Sequence, residues 1–257
     1  LAIGGMSGGL DRLSAEFPTM IREVIDQIID PVLTGRTLFE HLDNVEKTFI
    51  GLKVEHVLRD LLDVPKGLRD LIIDGLDVDV KNTVRQTWTI PPETYRHEEP
   101  CILIASEEAT NLCWLGLFFA RDAYLTPSLN RDGKRAVSVE GFRHILWLIE
   151  AQQYPRSRWI DIDIERFREL RGIRGGNKRL ALFFRENLNK PVHRTIIQAL
   201  LFDQKDYMKR ARGNGGVRDR LGTEGILVLS GLYDAIQIKA LKLPHVGPDE
   251  LIATDCV

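Results

Sequence analysis

The segment Asp70-Leu-Ile-Ile-Asp-Gly-Leu-Asp-Val-Asp79-Val80-Lys81 gathers side chains that could do chemistry. Leu71-Ile72-Ile73 is a short apolar run, Asp74-Gly75 is a hairpin turn signal, and Leu76 to Lys81 alternates in polarity. Residues two apart on a strand share a face, so Asp77, Asp79 and Lys81 point one way and Leu76, Val78 and Val80 the other. A hairpin at Asp74-Gly75 would bring Asp70 toward Asp79. Two aspartates offer hard oxygen ligands of the kind that suit Mg²⁺. Lys81 beside them could orient a water or offset charge on a phosphate. An exposed face of an antiparallel pair fits the D-x-K triplet equally well. Glu55 adds weight to the chemical reading. It shares a helical stripe with Gly51, Leu52, Leu58 and Leu62, and a carboxylate on a core-facing stripe is costly unless paired or bound to metal. Arg59, one turn on, is the alternative partner, as a surface ion pair.

The elements that must hold these residues follow from period and punctuation. Met20, Ile21, Val24, Ile25, Ile28 and Ile29 recur at helical spacing, predicting a helix over 18–30 that Pro31 closes. Thr34-Gly35-Arg36 reads as a turn. Thr37-Leu-Phe-Glu40 has capping-box form and predicts a second helix start. A further helix covers about 47–63, with Leu52, Leu58, Leu61 and Leu62 as core candidates. Cys101-Ile-Leu-Ile104 and Cys113 to Phe119 read as buried strands, and 139–150 as a helix. Gln152 to Arg158, containing Pro155, reads as a linker, giving two domains at 1–153 and 154–257. Beyond it, helices are predicted at about 163–171, 178–188, 191–202 and 203–212. Gly213-Asn-Gly-Gly216 breaks the last, and Glu224 to Leu229 reads as a strand. Short helices around a tight turn, then a strand, fit a helix-turn-helix with a wing.

Composition bounds the function. The 257 residues are 44% hydrophobic and 28% charged, with a formal net charge of −2, which is ordinary for a globular protein. That total argues against a nucleic-acid partner only until it is divided. Residues 1–120 hold 11 Lys+Arg against 20 Asp+Glu, whereas 121–222 hold 22 against 12. An acidic front and a basic back suggest two tasks, or two solvated surfaces of opposite sign. Cys101, Cys113 and Cys256 are too few and too scattered for a disulfide framework or zinc cluster, and suit a reducing compartment. His56, His97, His144, His193 and His245 show no metal-ligand spacing. No apolar run is long enough to span a bilayer, and Leu1 to Met6 lacks the form of a signal peptide.

A helix-borne Glu, an Asp, a hairpin and D-x-K on the second strand resemble the PD-(D/E)xK nuclease superfamily, although no proline precedes Asp70. Flanking residues narrow the likeness. Glu46-Lys-Thr-Phe-Ile-Gly-Leu-Lys-Val-Glu55, the Asp70 to Lys81 hairpin and Trp88-Thr-Ile-Pro-Pro-Glu93 resemble the catalytic domain of NaeI-type restriction endonucleases. Arg174-Gly-Gly-Asn177, Asp206 to Arg218 and Glu224-Gly-Ile-Leu-Val-Leu229 are similar to their C-terminal domain, in the same order. The resemblance implies an α/β fold: a restriction-endonuclease-like mixed sheet flanked by helices, plus a C-terminal winged-helix, catabolite-activator-like domain. It implies a Mg²⁺-dependent type II endonuclease, a homodimer that engages two copies of a palindromic site in double-stranded DNA, one as effector, in a prokaryotic cytoplasm. Glu55, Asp70, Asp79 and Lys81 carry over as the catalytic set, with Glu55, Asp70 and Asp79 toward metal. The chain looks one residue shorter between Glu55 and Asp70, and Asp77 is an extra acid.

Two basic groups are the expected phosphate contacts. Lys209, Arg210, Arg212, Arg218 and Arg220 surround the Gly-rich turn, whose free amides can also face phosphate. Arg171, Arg174, Lys178 and Arg179 form the other group. Either could instead be a solvated helix face. Trp88 and Pro91-Pro92 could support a DNA cleft, or Trp88 could simply pack in the core. Two other functions compete: a repair nicking endonuclease of mismatch-repair type, and a non-catalytic winged-helix regulator that would need none of the four catalytic residues.

Overall fold

The structure, a computed structural model, describes residues 9–34, 36–85 and 87–255. Leu1 to Met6, Gly35 of the expected turn and Cys256 lie outside the described residues. The chain divides into two compact units. Those described residues that fall in Leu1–Asp30 and Leu38–Ser157 make one, and those in Pro31–Thr37 and Arg158–Val257 make the other. Among the described residues no helix is long and apolar enough to cross a membrane.

The first unit is a mixed sheet flanked by helices. Helix α1 (Gly9–Ile29) starts well before the expected residue 18 and runs through Pro18. Proline has no N–H for the carbonyl four residues back. Here the Gln152 side-chain amide, on a strand far along the chain, donates to that Ser14 carbonyl at 2.8 Å. Helix α2 (Pro31–Thr34) is a single turn that belongs with the second unit. The expected capping box at Thr37–Glu40 gives only a 3₁₀ turn, Phe39–His41. The box forms instead at Asp43 and Glu46, where Asp43 accepts from the Glu46 amide at 2.8 Å and Glu46 accepts from the Asp43 amide at 2.9 Å. That box starts α3 (Asn44–Leu62), which buries Ile50, Val54, Leu58 and Leu62 and leaves Leu52 exposed.

Strands β1 (Leu71–Ile73) and β2 (Leu76–Thr83) form the hairpin, with Asp74 and Gly75 both at positive φ, as a tight two-residue turn requires. After β3 (Thr89–Ile90) and the helical turn α4 (Pro92–Tyr95) come β4 (Pro100–Glu107) and β5 (Leu112–Phe119). Then follow β6 (Arg135–Ala136), the one-turn helix α5 (Val139–Phe142) and β7 (Leu146–Gln153). The main sheet runs β1-β2-β4-β5-β7, with β2 and β4 parallel and the other neighbours antiparallel. Strand β4 is covered on both faces: Ile102 and Ile104 pack toward α1 and α3, while Cys101, Leu103 and Ala105 pack against Trp88 and Phe118. That is why its sequence is continuously apolar and does not alternate. The helix expected over 139–150 stops after one turn, and Leu146 onward joins the sheet beside β5. Pairing to a neighbouring strand overrides the local pattern there. Gln152 and Gln153, expected in a linker, end that strand.

The second unit contains α6 (Ile164–Gly172), α7 (Gly176–Glu186), β8 (Val192–His193), α8 (Arg194–Leu200), α9 (Tyr207–Ala211), α10 (Val217–Gly222), β9 (Ile226–Ser230), α11 (Ala235–Ala240) and β10 (Glu250–Asp255). Its antiparallel sheet runs β8-β10-β9. Phe167, Phe183, Phe184, Ile197, Leu200 and Leu221 form its core. The single helix expected over 191–202 is split, because Val192 and His193 pair with β10, a strand that gave no sequence warning.

Candidate active site

The site is built where β1 ends. The pairing Leu71↔Val78 is the last between β1 and β2, so beyond it the outer edge of β2 has no strand beside it among the described residues. Asp70 fills the gap with its side chain: its Oδ2 accepts from the Val80 amide at 2.6 Å. Val78 and Val80 face the core, which sends Asp79 and Lys81 to the opposite face, as the alternation requires. Asp79 is 3% exposed, and a buried carboxylate needs partners. It has two: Lys81 Nζ donates to its Oδ1, and Thr94 Oγ1 donates to its Oδ2 at 2.8 Å.

Glu55, on α3, comes close enough to feel Asp70, Lys81 and Asp79 electrostatically. Burial raises its pKa to about 7, and the charge on Asp70 adds to the rise. Asp70 is also raised, chiefly by burial, against the Val80 amide and with Asp79 reinforcing it. For both groups burial is the main force against the charged carboxylate, and the neighbouring acids add to it. Among the described residues no three His, Cys, Asp or Glu side chains form a ready-made metal cage. Both oxygens of Asp79 and one of Asp70 already accept hydrogen bonds. The donor chemistry nonetheless fits a hard divalent cation, since Glu55, Asp70 and Asp79 offer carboxylate oxygens only. Arg59, the other partner considered for Glu55, instead hydrogen-bonds His56 at 3.1 Å.

Asp77 does not join this group. Both its oxygens accept from the Arg69 backbone amide, at 3.0 and 3.1 Å. Gly67 makes room for it, since a Cβ there would lie 2.1 Å from Asp77 Oδ1. The Arg69 guanidinium crosses to the Glu93 carbonyl at 2.7 Å and to Glu99 at 2.8 Å. It thereby ties the loop before β1 to α4, the turn that carries Thr94. Sequence reading missed both Arg69 and Thr94. Neither has a periodic or motif signal, and only Pro91-Pro92, which sets the start of α4, hinted at ordered structure there. Trp88 is a core residue, 1% exposed, with Nε1 donating to the Ile104 carbonyl at 2.8 Å. The two described cysteines are buried, and burial pushes Cys113 up to about 12 and Cys101 higher still.

The basic residues of the second unit divide sharply. Arg174 and Lys178 are exposed around the start of α7, and Lys209, Arg210, Arg212 and Arg220 are exposed along α9, the Gly-rich turn and α10. Arg210 also donates to Gln204 at 3.0 Å. Arg218 is half-buried and ion-paired with Asp234. Arg171 stacks its guanidinium 4.3 Å from the Phe202 ring centroid. Arg179, expected among the phosphate contacts, is 2% exposed. It donates to the Arg171 carbonyl at 3.0 Å and pairs with Asp203, which makes it an internal strut. The turn amides differ from expectation too: Gly215 N–H already donates to Asp219 at 2.7 Å. The turn is so tight that a Cβ at Gly216 would lie 2.0 Å from the Arg212 carbonyl oxygen.

Two comparisons with known proteins complete the picture. The family described as restriction endonuclease NaeI matches residues 10–255. The type II restriction enzyme NaeI of Lentzea aerocolonigenes is 31% identical over 219 residues, covering 82% of this chain and 68% of that protein.

Proposed function

Since the chain belongs to the NaeI restriction endonuclease family, and is a type II site-specific deoxyribonuclease, we propose that Glu55, Asp70, Asp79 and Lys81 are its catalytic residues. The observation that carries this reading is that Asp70, Asp79 and Lys81 gather at the open edge of β2, with Glu55 close enough to interact with all three electrostatically. Type II restriction enzymes generally use a divalent metal, and we take it here to be Mg²⁺, held by Asp70 and Asp79 with Glu55 nearby. When bound, such an ion supplies charge neutralisation at a phosphate and acidifies water. The chain's own residues do the rest. Asp79 holds the Lys81 ammonium, which orients the attacking water and offsets charge growing on the phosphate. Glu55 would bind a second metal or a water of the first.

The second unit is proposed as a winged-helix DNA reader. Support comes from the succession α9, Gly-rich turn, α10 and β9, and from the exposed cations Arg174, Lys178, Lys209, Arg210, Arg212 and Arg220 along it. Its working boundary is near residue 154, with the catalytic unit before it. A homodimer acting in the prokaryotic cytoplasm on a palindromic site in double-stranded DNA, with a second site as effector, completes the proposal.

The test is plasmid cleavage titrated with Mg²⁺, on one-site and two-site substrates. Linear products that need Mg²⁺ are expected, faster with two sites; nicked circles alone would favour a repair nickase. Asp79→Ala should abolish cleavage and retain DNA binding. Full cleavage by that variant sinks the site assignment. Binding with no cleavage by the wild type under any divalent ion would favour a non-catalytic regulator.

A further inference from the structure

We propose that Thr94 is a positioning residue for DNA cleavage, its hydroxyl fixing the rotation of the Asp79 carboxylate. The inference rests on the assignment of Asp79 above and adds a residue to it. Thr94 is fully buried, and a buried hydroxyl must find a partner. A threonine on a helical turn commonly back-bonds to its own helix. This one instead reaches across to another element and donates to Asp79 Oδ2 at 2.8 Å. Lys81 holds the other oxygen, so the carboxylate is pinned at both ends and cannot turn about its terminal bond.

The hydroxyl is itself held in place. The Thr94 amide donates to the Pro91 carbonyl at 3.0 Å, and its carbonyl accepts from the Glu99 amide at 3.1 Å. Arg69 reaches the neighbouring Glu93 carbonyl and the Glu99 carboxylate. Pro91 and Pro92 bring fixed φ angles to the start of the turn. Five residues outside the catalytic set thus determine where one hydroxyl sits. Without it, Asp79 keeps its charge but loses one of two anchors, and Lys81 loses a fixed reference. Thr94 touches no reacting atom; it acts through Asp79.

The experiment compares wild type, Thr94→Val, Thr94→Ser and Asp79→Ala on a plasmid the wild type linearises. Three quantities are read: single-turnover cleavage rate in Mg²⁺, DNA affinity without divalent ion, and the shift in thermal midpoint when Mg²⁺ is added to protein alone. Thr94→Val keeps the shape and loses the hydroxyl. It should cleave about 10- to 100-fold more slowly, as expected for a misaligned catalytic group. Its DNA affinity should stay within about twofold of wild type, and its Mg²⁺-induced midpoint shift should shrink. Thr94→Ser keeps the hydroxyl and should restore rate and shift. Equal rates for wild type and Thr94→Val overturn the proposal. So does an equal loss in Thr94→Ser, which would point to packing of the methyl group. If Thr94→Val does not fold, Thr94→Ala replaces it; failure of both to fold while Thr94→Ser folds makes the hydroxyl structural and also overturns the proposal. The underlying site assignment fails separately, through cleavage by Asp79→Ala, and the proposal then falls with it.

Discussion

Arg179→Ala should destabilise the protein and leave its DNA contacts alone, whereas Lys178→Ala, one residue away, should do the reverse. The magnitude follows from what the Arg179 guanidinium touches. It donates to the Arg171 carbonyl in the last turn of α6, and removing it leaves that carbonyl without this donor. An unsatisfied buried polar group costs about 1–3 kcal/mol. Breaking a fully buried ion pair costs about 3–5 kcal/mol, but Asp203 is 44% exposed and water can take over its solvation. Arg179 Nε is already buried with no hydrogen-bond partner among the described residues, a cost that truncation relieves. Loss of the guanidinium from over the Phe202 ring, 5.3 Å from its centroid, adds a cation–π term. The balance is about 2–3 kcal/mol, or a fall in thermal midpoint on the order of 5–15 °C. Urea denaturation measures the first, and the dependence of DNA affinity on salt measures the second. Arg179→Ala should retain the wild-type salt slope, and Lys178→Ala should lose about one unit of it with stability changed by less than about 0.5 kcal/mol. A stable Arg179→Ala with a reduced salt slope would refute the argument that burial removes this cation from the DNA surface.

Acid should weaken the second unit through His193. Burial, with the Arg158 charge assisting, lowers its pKa from 6.5 to about 4, and its Nδ1 accepts from the Thr195 amide at the start of α8. The unfolded chain therefore takes up a proton below pH 6.5 that the folded chain refuses until about pH 4. Stability is full above that window and falls as pH drops through it, by about 1–2 kcal/mol once the half-exposure of the ring is discounted. His193→Asn keeps a capping oxygen without the titration, so its stability should be flatter between these limits; an unchanged pH profile by denaturation refutes the assignment. Gln152→Ala should cost about 1 kcal/mol by orphaning the Ser14 carbonyl. In a Pro18→Ala background residue 18 regains an N–H for that carbonyl, so the same change should cost close to nothing. Equal costs in both backgrounds would show that the amide does not serve the proline gap.

The hairpin was legible because a two-residue turn and strict alternation are local signals, and they put Asp79 and Lys81 on a common face. Glu55 was legible because a lone carboxylate on an apolar stripe is conspicuous. What escaped was set by distant partners. Pro18 looked like a helix start, because nothing nearby shows that Gln152 would donate to the carbonyl it orphans. Residues 146–150 looked helical, because pairing with β5 is a tertiary preference. Arg179 differs from Lys178 only by the side of α7 it occupies, and a one-dimensional cluster of charge does not record that. Thr94 carries no sequence mark at all; its relation to Asp79 exists only across the parallel β2–β4 pair and the turn between them.

The described residues of the short stretch Pro31–Thr37 belong with the second unit although the chain before and after it builds the first. The polypeptide therefore passes between the units three times. Modularity is limited by this. A gene cut at residue 157 would not release a self-contained first unit, because residues 31–37 would remain in its middle with their packing partners removed. Recombination that exchanged everything beyond the cut would also have to tolerate a foreign surface against that stretch. Grafting a new second unit onto this nuclease requires two matched replacements, at 31–37 and after 157, and a protease that nicks the 157–158 junction would leave the two pieces still tied through the earlier crossing only if they stay folded together.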